Sequence, residues 1–307
     1  MTTYTGNSAY CYSNSLHMCL THAGMVSVPG VDLLECMTGM PFGATLLKRA
    51  TPMFFPSPAG RVPDQGLTQA LETLGWTCEV LRFEDADTAE RALRAALLRG
   101  PALIGPLDMG GLSYDPARAY KRGADHFIVA LNLAGDLLQV HDPQSYPFAV
   151  LPVADLMRTW NAKTFGPAPV AYTFRCDFRL GRSVSEEEML AETLKTARDV
   201  VATAPAGPVA YGGAAAFTRA AEVLRNQPPD AFTGLLVHFG LPLGARRCVD
   251  AAGFFKRVGR SEATRLMVGK AEVFGRAQYH ATQGEWTRTA ECFDHLSSLE
   301  AQIAEAI

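Results

Sequence analysis

The spacing of apolar residues divides the chain into a mixed first half and a helical second half. Helical spacing over 8–23 opens the first half, and shorter helical and strand-like segments follow. Predicted helices cover 31–40, 64–75, 85–100 and 153–162, and predicted strands cover 76–83, 101–109 and 169–178. The clearest strand pair is a hairpin over 126–143, where two apolar runs flank a tight Ala-Gly-Asp turn.

The second half shows almost no strand-like alternation. Ser183 or Ser185, followed by a run of glutamates, predicts a capped helix start. Helical segments are predicted over 185–204, 213–226, 230–240, 245–258, 261–281 and 285–306. The pattern therefore predicts an α+β protein with two domains, residues 1–180 and an α-helical domain over 181–307.

Composition and charge exclude several classes of protein. The chain has 307 residues, of which 48% are hydrophobic and 19% charged, as expected for a globular protein. A net charge of -3 gives no electrostatic reason to bind nucleic acid or an acidic membrane surface. The sequence shows neither a long apolar run nor a secretory signal, so we expect no membrane partner and a cytoplasmic location.

Cys11 stands near the start of the first predicted helix. The seven cysteines are scattered and form no CxxC pair, so most should be buried thiols, and neither a metal site nor a cofactor is predicted. With Asn7 or Ser8 as N-cap, Cys11 would lie in the first helical turn. There the helix dipole favours a thiolate, and the free backbone N–H groups can stabilise an oxyanion.

Nearby histidines and a second cysteine do not complete a site with Cys11. His17 lies on another face of the predicted helix, and His22 lies several turns further along it. Cys19 is also off the face of Cys11, which argues against a metal cluster in this helix. We therefore expect these three side chains to be packing or surface residues.

The predicted hairpin supplies a better partner for the cysteine. His126 begins its first strand and Asp142 ends its second, so antiparallel pairing brings the two together. A carboxylate there can fix the tautomer of an imidazole and stabilise its protonated form. His141 is an alternative base, but it would point away if Asp142 faces His126, because adjacent strand residues face opposite sides.

Three stretches of the first half resemble a known family. Residues 105–116 (GPLDMGGLSYDP), 123–131 (GADHFIVAL) and 140–148 (VHDPQSYPF) are similar to signature stretches of the family named after the N-terminal domain of the butirosin biosynthesis acyltransferase. That family lies in the papain-like superfamily, and the His-to-Asp spacing is also that of bacteriocin-processing peptidase domains of ABC transporters. The second half resembles the helical domain that usually follows.

The resemblance implies a fold and a reaction. The implied fold is papain-like, with a Cys-bearing helix packed on an antiparallel sheet that bears His and Asp. By resemblance, Cys11 is the nucleophile, His126 the general base and acid, and Asp142 the orienting group. The implied enzyme is an acyltransferase of natural-product biosynthesis that forms an amide (or ester) from a thioester donor through a Cys acyl-enzyme.

The resemblance also implies partners and leaves alternatives open. The donor would be a thioester of an acyl carrier protein or of coenzyme A, and the acceptor a small-molecule amine. A homodimer is one candidate assembly. A papain-like cysteine hydrolase (a peptidase, amidase or thioesterase) is the alternative enzyme, and a binding or scaffold protein is an alternative from another class.

Further candidate residues come from the resemblance and from positions along the sequence. The superfamily's oxyanion-hole glutamine falls at Thr5, which leaves Asn7 as the candidate oxyanion donor. Asp108 and Tyr114 are candidate substrate-binding residues, with a structural polar loop as the equal alternative. The densest basic region is a candidate docking surface for a carrier protein, although a charged helix face is also common for solubility alone; it comprises Arg246, Arg247, Lys256, Arg257 and Arg260.

Overall fold

The computed structural model describes residues 2–164, 170–203 and 207–307. The strands in these residues are β1 Thr45–Leu47, β2 Met53–Phe55, β3 Trp76–Phe83, β4 Ala102–Asp108, β5 Asp125–Ala134, β6 Leu137–Asp142, β7 Tyr146–Pro152, β8 Tyr172–Leu180 and β9 Ala210–Gly212. The α-helices are α1 Cys11–His22, α2 Val31–Met37, α3 Pro63–Leu74, α4 Ala86–Leu97, α5 Val153–Thr159, α6 Glu186–Ala202, α7 Ala214–Arg225, α8 Asp230–Leu235, α9 Leu241–Arg257, α10 Ser261–Thr282 and α11 Trp286–Ala306. The predicted α+β class and helical C-terminal region are confirmed.

Most predicted elements are present with boundaries shifted by a few residues. The hairpin is formed by β5 and β6, and Ser185 caps α6 in a capping box with Glu188. Strand β7 and the three-residue strands β1, β2 and β9 were not predicted. Two predicted positions, Pro169 in a strand and Ala204 in a helix, lie outside the described residues.

The chain forms two compact units whose boundaries differ from the predicted 1–180 and 181–307. The first unit contains residues up to Val31 and Leu74–Ser183, and the second contains Asp32–Thr73 and Val184–Ile307. Residues 32–73 therefore belong with the helical region. Their strand β1 pairs with β9 across more than 160 positions, which local sequence patterns do not reveal.

A six-stranded antiparallel sheet organises the first unit. Its strand order is β3-β8-β4-β5-β6-β7. Ala89 and Leu93 of α4 and Leu156 of α5 pack with buried strand residues into one apolar cluster. On β5, Phe127 contacts Tyr12 of α1 edge to face, with ring centroids 5.9 Å apart. Helix α1 is thus anchored to β5, the strand that carries His126.

The second unit contains the three-stranded sheet β2-β1-β9 and most of the helices. A buried ion pair joins its distant segments: the Nη2 and Nε atoms of Arg247 in α9 donate to Oε1 of Glu35 in α2 at 2.8 and 3.0 Å. Arg247 also donates to the carbonyl of Pro56 at 2.8 Å. Because a buried charge is costly without a partner, these bonds fix the position of 32–73 within the second unit.

No helix in the described ranges combines the length and the apolar character needed to cross a bilayer.

Candidate active site

Two side chains at the open end of the β5–β6 hairpin share a hydrogen bond. His126 Nε2 lies 2.7 Å from Asp142 Oδ1, and each side chain is only 1% exposed. The backbone N–H of Gln144 donates to the same carboxylate oxygen at 2.8 Å. The first residues of β5 and the last residue of β6 therefore meet as the hairpin predicted.

The Cys11 side chain lies next to the same histidine ring, close enough for its sulfur to affect the charge on His126. Cys11 is half-buried, whereas His126 and Asp142 are buried. The structure thus brings the three predicted residues together, and Cys11 is the one of the three that is not buried.

Cys11 is the first residue of α1, three positions later than the predicted helix start. The N-cap is Tyr10, with φ 52° and ψ 54°, and no side chain caps the helix. The prediction of Asn7 or Ser8 as N-cap is therefore wrong. Ser8 also has a positive φ of 60°. Non-glycine residues rarely adopt this region, and such strain is retained where the surrounding structure enforces it.

Asn14, which sequence reasoning missed, holds this strained turn. Its Nδ2 donates to the carbonyls of Ala9 and Tyr10 at 2.6 and 3.0 Å and to Asn7 Oδ1 at 2.9 Å. Asn14 is fully buried. An asparagine inside a helix, three residues after the cysteine, was the available signal, since this residue type favours turns and caps over helix interiors.

The segment before Cys11 is bonded to the loop that follows Asp142. The Tyr4 hydroxyl donates to the Asp142 carbonyl at 2.9 Å and accepts from the Ser145 N–H at 3.0 Å. The N–H of Ser8 donates to the carbonyl of Pro143 at 3.2 Å. These bonds bring the start of α1 to the end of β6, and so place the sulfur beside the histidine.

The electrostatics of the site favour a charged histidine. Burial alone would lower the pKa of His126, but the negative charges of Asp142 and Cys11 and the hydrogen bonds to both outweigh it and raise the pKa to about 10. Burial would raise the pKa of Asp142, yet His126, Gln144 and Tyr114 together lower it. A protonated imidazole beside a sulfur is the arrangement that stabilises a thiolate.

Tyr114, a candidate substrate-binding residue, contacts Asp142 instead. Its hydroxyl donates to Asp142 Oδ2 at 2.8 Å, the oxygen that His126 does not use. Burial and the Asp142 charge raise the pKa of Tyr114 well above its usual value, so it remains a donor. Tyr114 is therefore suited to position Asp142.

A second layer of polar contacts supports Tyr114. Its ring packs on that of Tyr146, with centroids 5.4 Å apart. The Tyr146 hydroxyl donates to Asp115 Oδ1 at 3.0 Å, and Lys121 pairs with Asp115 Oδ2 at 2.8 Å. Asp115 also accepts from the N–H of Ala117, so it forms an Asx turn as well as this network.

Asp108, the other candidate, supports a loop. Its Oδ1 accepts from the N–H groups of Gly110 and Gly123, both at 2.8 Å. The carboxylate thereby ties the two ends of the 109–123 segment together. Asp108 also lines a cleft, described below, so its contact with a substrate stays a prediction.

Asn7, the candidate oxyanion donor, lies in the turn before Cys11. Its Oδ1 accepts from Asn14 Nδ2 at 2.9 Å and from the Ala9 N–H at 3.1 Å. With the amide oxygen held this way, Nδ2 is the atom left to act as a donor. Thr5, at the position of the superfamily's glutamine, instead contacts His17 Nδ1 at 3.2 Å. The oxyanion role of Asn7 stays a prediction.

The prediction that the neighbours of Cys11 are structural is confirmed. His17 contacts Thr5, and His22 Nδ1 contacts the hydroxyl of Thr2 at 3.0 Å. Cys19 is 1% exposed, and burial raises its pKa far above the usual range.

His141, the alternative base, is occupied on both ring nitrogens. Nδ1 accepts from the N–H of Phe148 and Nε2 donates to the carbonyl of Thr2, both at 3.1 Å. This pattern requires a neutral ring, and burial lowers the pKa of His141. His141 therefore fixes the N-terminal segment rather than serving Cys11.

One group of side chains has the spacing of a metal site. Glu79, Cys176 and Asp177 each bring a ligand atom within 4.8 Å of the others. However, Arg99 Nη2 lies 2.6 Å from Asp177 and 3.7 Å from Glu79. The guanidinium already supplies the positive charge there, so these residues give no independent reason to place a metal ion.

The predicted basic docking region is not one exposed surface. Arg247 is 4% exposed and pairs with Glu35, and Arg246 pairs with Asp250 at 3.1 Å. Helical periodicity places the adjacent arginines on different faces of α9, which the count of basic residues did not take into account.

Replacing Asp142 by Asn should change stability in a pH-dependent way. His126 stabilises the fold fully below its ordinary pKa of 6.5 and ceases to do so as the pH rises through about 10. Asp142 stabilises the fold above its ordinary pKa of 3.8, and this is lost as the pH falls through its lowered folded value. Urea unfolding should therefore show Asp142→Asn to be about 2 kcal/mol less stable near pH 6, with a smaller deficit near pH 10. A deficit independent of pH would contradict this assignment.

Replacing Tyr114 by Phe should raise the pKa of His126 further. Asp142 stays ionised where His126 titrates, and without the tyrosine donor its charge is less dispersed and attracts a proton on the ring more strongly; NMR titration of the His126 ring measures the result. We expect the rate of Cys11 acylation to fall about tenfold, the effect of one hydrogen bond to a charged group. Tyr146→Phe is the matched control, because that hydroxyl donates to Asp115. Equal pKa values for His126 in Tyr114→Phe and in the unsubstituted protein would refute the positioning role.

Comparison with known proteins shows relatives but no established activity. Residues 207–307 match the family model described as the YobF C-terminal domain. Over 302 residues the chain is 28% identical to "Uncharacterized protein YobF" of Bacillus subtilis (strain 168), covering 98% of this chain and 96% of that protein. The chain is thus similar to YobF along nearly its whole length, and its second unit contains a YobF C-terminal domain match.

Proposed function

We propose that this chain is a cysteine-dependent acyltransferase that forms an amide, or an ester, from a thioester donor through an acyl group carried on Cys11. The observation that carries the proposal is the position of the His126 ring, which is bonded on Nε2 to Asp142 and lies next to the Cys11 side chain. A covalent acyl-transfer site needs a nucleophile, a base beside it, and a carboxylate that orients the base.

The fold supports a papain-like arrangement as part of the same proposal. Cys11 opens α1, and α1 packs on β5 through the Tyr12–Phe127 contact, next to His126. A helix-borne cysteine beside a sheet-borne histidine and aspartate matches the resemblance to the butirosin acyltransferase family. The α1 N-terminus also offers backbone N–H groups that lack acceptors within the helix.

The first step of the proposed reaction forms the acyl-enzyme. The Cys11 thiolate attacks the donor carbonyl, the new sulfur–carbon bond forms, and the donor's carbon–sulfur bond breaks. The leaving thiolate takes the proton of protonated His126, and the N–H groups at the start of α1 stabilise the oxyanion meanwhile. His126 is then neutral and can act as a base.

The second step releases the acyl group. An acceptor amine attacks the thioester carbon on Cys11, and neutral His126 takes the amine proton. The carbon–nitrogen bond forms, the bond to Cys11 breaks, and the pair returns to thiolate and imidazolium. Asp142 stabilises the imidazolium in both steps, because its carboxylate stays bonded to Nε2.

Trapping the acyl group tests the proposal. The protein is incubated with a small acyl thioester without amine, and intact-mass spectrometry with peptide mapping locates the adduct. We expect one acyl group on Cys11, none in Cys11→Ala, and at least about a hundredfold slower acylation in His126→Gln. Cys292→Ala is the matched control, since Cys292 is half-buried like Cys11. Full acylation of Cys11→Ala would refute the proposal.

Addition of an amine separates transfer from hydrolysis. An acyltransferase should pass the trapped acyl group to the amine in preference to water, which product analysis by mass spectrometry measures. Formation of the free acid alone at every amine concentration would indicate the alternative, a cysteine hydrolase.

A further inference from the structure

The segment that joins β4 to β5 forms a cleft lined with arginines. Its volume is about 300 Å³, and its lining includes Arg118, Arg122 and Arg158 together with the backbone of Gly110 and Gly111. All of these residues belong to the first unit. The same segment carries Tyr114, which bonds Asp142, so the cleft and the candidate active site share one stretch of chain.

The cleft has an excess of positive charge. Its two carboxylates are already engaged: Asp155 pairs with Arg158, and Asp108 accepts from two backbone N–H groups. Arg118 is held by a bond to the carbonyl of Ser113 at 3.1 Å. Among the described residues, neither Arg118 nor Arg122 has a carboxylate partner, which leaves both guanidinium groups for a ligand.

The wall of the cleft is built from close backbone contacts. A Cβ at Gly110 would lie 2.7 Å from the Cα of Arg122, and one at Gly111 would lie 2.4 Å from Thr159 Oγ1. Any larger residue would push these segments apart. The two glycines thus let the arginine-bearing segment and α5 approach each other and enclose the cleft.

We infer that this cleft binds a phosphate group, and that the phosphate belongs to the pantetheine arm of the acyl donor. Guanidinium groups bind phosphate through paired N–H donors and remain charged at every physiological pH. An arginine-lined cleft disfavours a metal cation and an uncharged ligand alike. The assignment to the donor rests on the proposed function, because pantetheine thioesters on coenzyme A and on carrier proteins carry a phosphate remote from the sulfur.

The position of the cleft suits this donor. Asp108, in its wall, pairs with Asp125, the residue before His126. Neighbouring strands are about 4.8 Å apart, so the backbones of Asp108 and His126 are separated by only about 6 Å. Since Asp108 pairs with Asp125 and Leu107 with His126, the Asp108 and His126 side chains point to opposite faces of the sheet. The flexible arm of a donor whose phosphate is held in the cleft would therefore have to pass the end of β4 to carry the thioester to Cys11.

Calorimetric binding to the full chain tests the phosphate site without requiring turnover. The probes are 4′-phosphopantetheine, pantetheine, coenzyme A and inorganic phosphate. We expect 4′-phosphopantetheine to bind at least about tenfold more tightly than pantetheine, with Arg122→Gln and Arg118→Gln each removing most of that difference. Arg182→Gln is the matched control, because Arg182 is an exposed arginine of the same unit outside the cleft.

A kinetic comparison links the site to the donor. For acetyl coenzyme A, Arg122→Gln should raise KM for Cys11 acylation about tenfold, whereas acylation by the acetyl thioester of N-acetylcysteamine, which has no phosphate, should be unchanged. Circular dichroism establishes that the variant is folded.

Several results would overturn the inference. Equal affinity for pantetheine and 4′-phosphopantetheine would rule out the phosphate site. Equal losses of affinity for 4′-phosphopantetheine in Arg122→Gln and Arg182→Gln would also rule it out. Inorganic phosphate binding as tightly as 4′-phosphopantetheine would remove the pantetheine assignment. Failure of the proposed function is a separate result: neither thioester would acylate Cys11, whatever the binding data show.

Discussion

The hydrogen bond between His126 Nε2 and Asp142 Oδ1 is the contact on which the candidate site depends. The bond is buried, so water does not screen its charges. It uses one edge of the imidazole ring, and Cys11 lies next to the same ring. Two sets of contacts converge on it. Tyr114 and the N–H of Gln144 bond the carboxylate, and the N-terminal segment bonds the loop that follows it through Tyr4. Loss of the carboxylate would therefore affect the charge on His126 and, through the lost bond from Gln144, the loop to which the N-terminal segment is bonded.

The turn before Cys11 has a strained backbone that is held in place by several hydrogen bonds. Ser8 and Tyr10 adopt left-handed backbone conformations that cost energy in non-glycine residues. Asn14 offsets this by donating to three oxygens of the turn. Glycine at position 6 also matters, since a Cβ there would lie 2.8 Å from the backbone carbonyl oxygen of Pro143. The consequence is a cysteine at the first position of the first turn of α1, next to a histidine more than a hundred positions away in the sequence.

The sequence predicted the residues of the candidate site better than the long-range contacts that hold them together. The hairpin and its two end residues were predictable, because alternation and turn chemistry are local and antiparallel pairing does the rest. The exact start of α1 was not, because a strained turn held by Asn14 competed with the usual capping residues and prevailed. The contact of Tyr114 with Asp142 spans 28 positions, and the pairing of β1 with β9 spans still more. Such contacts depend on tertiary packing, which no local period encodes, and this is why the two compact units differ from the predicted domains at residues 32–73.

The most direct test of the central claim is the alkylation rate of Cys11 by iodoacetamide, compared with that of Cys292 in the same molecule. Both thiols are half-buried, and burial raises the pKa of Cys292, so the pair separates activation from access. With a protonated His126 beside its sulfur, Cys11 should react at neutral pH at least about tenfold faster than Cys292, and His126→Gln should abolish most of that difference. Equal rates for the two thiols, or an undiminished rate at Cys11 in His126→Gln, would contradict the account.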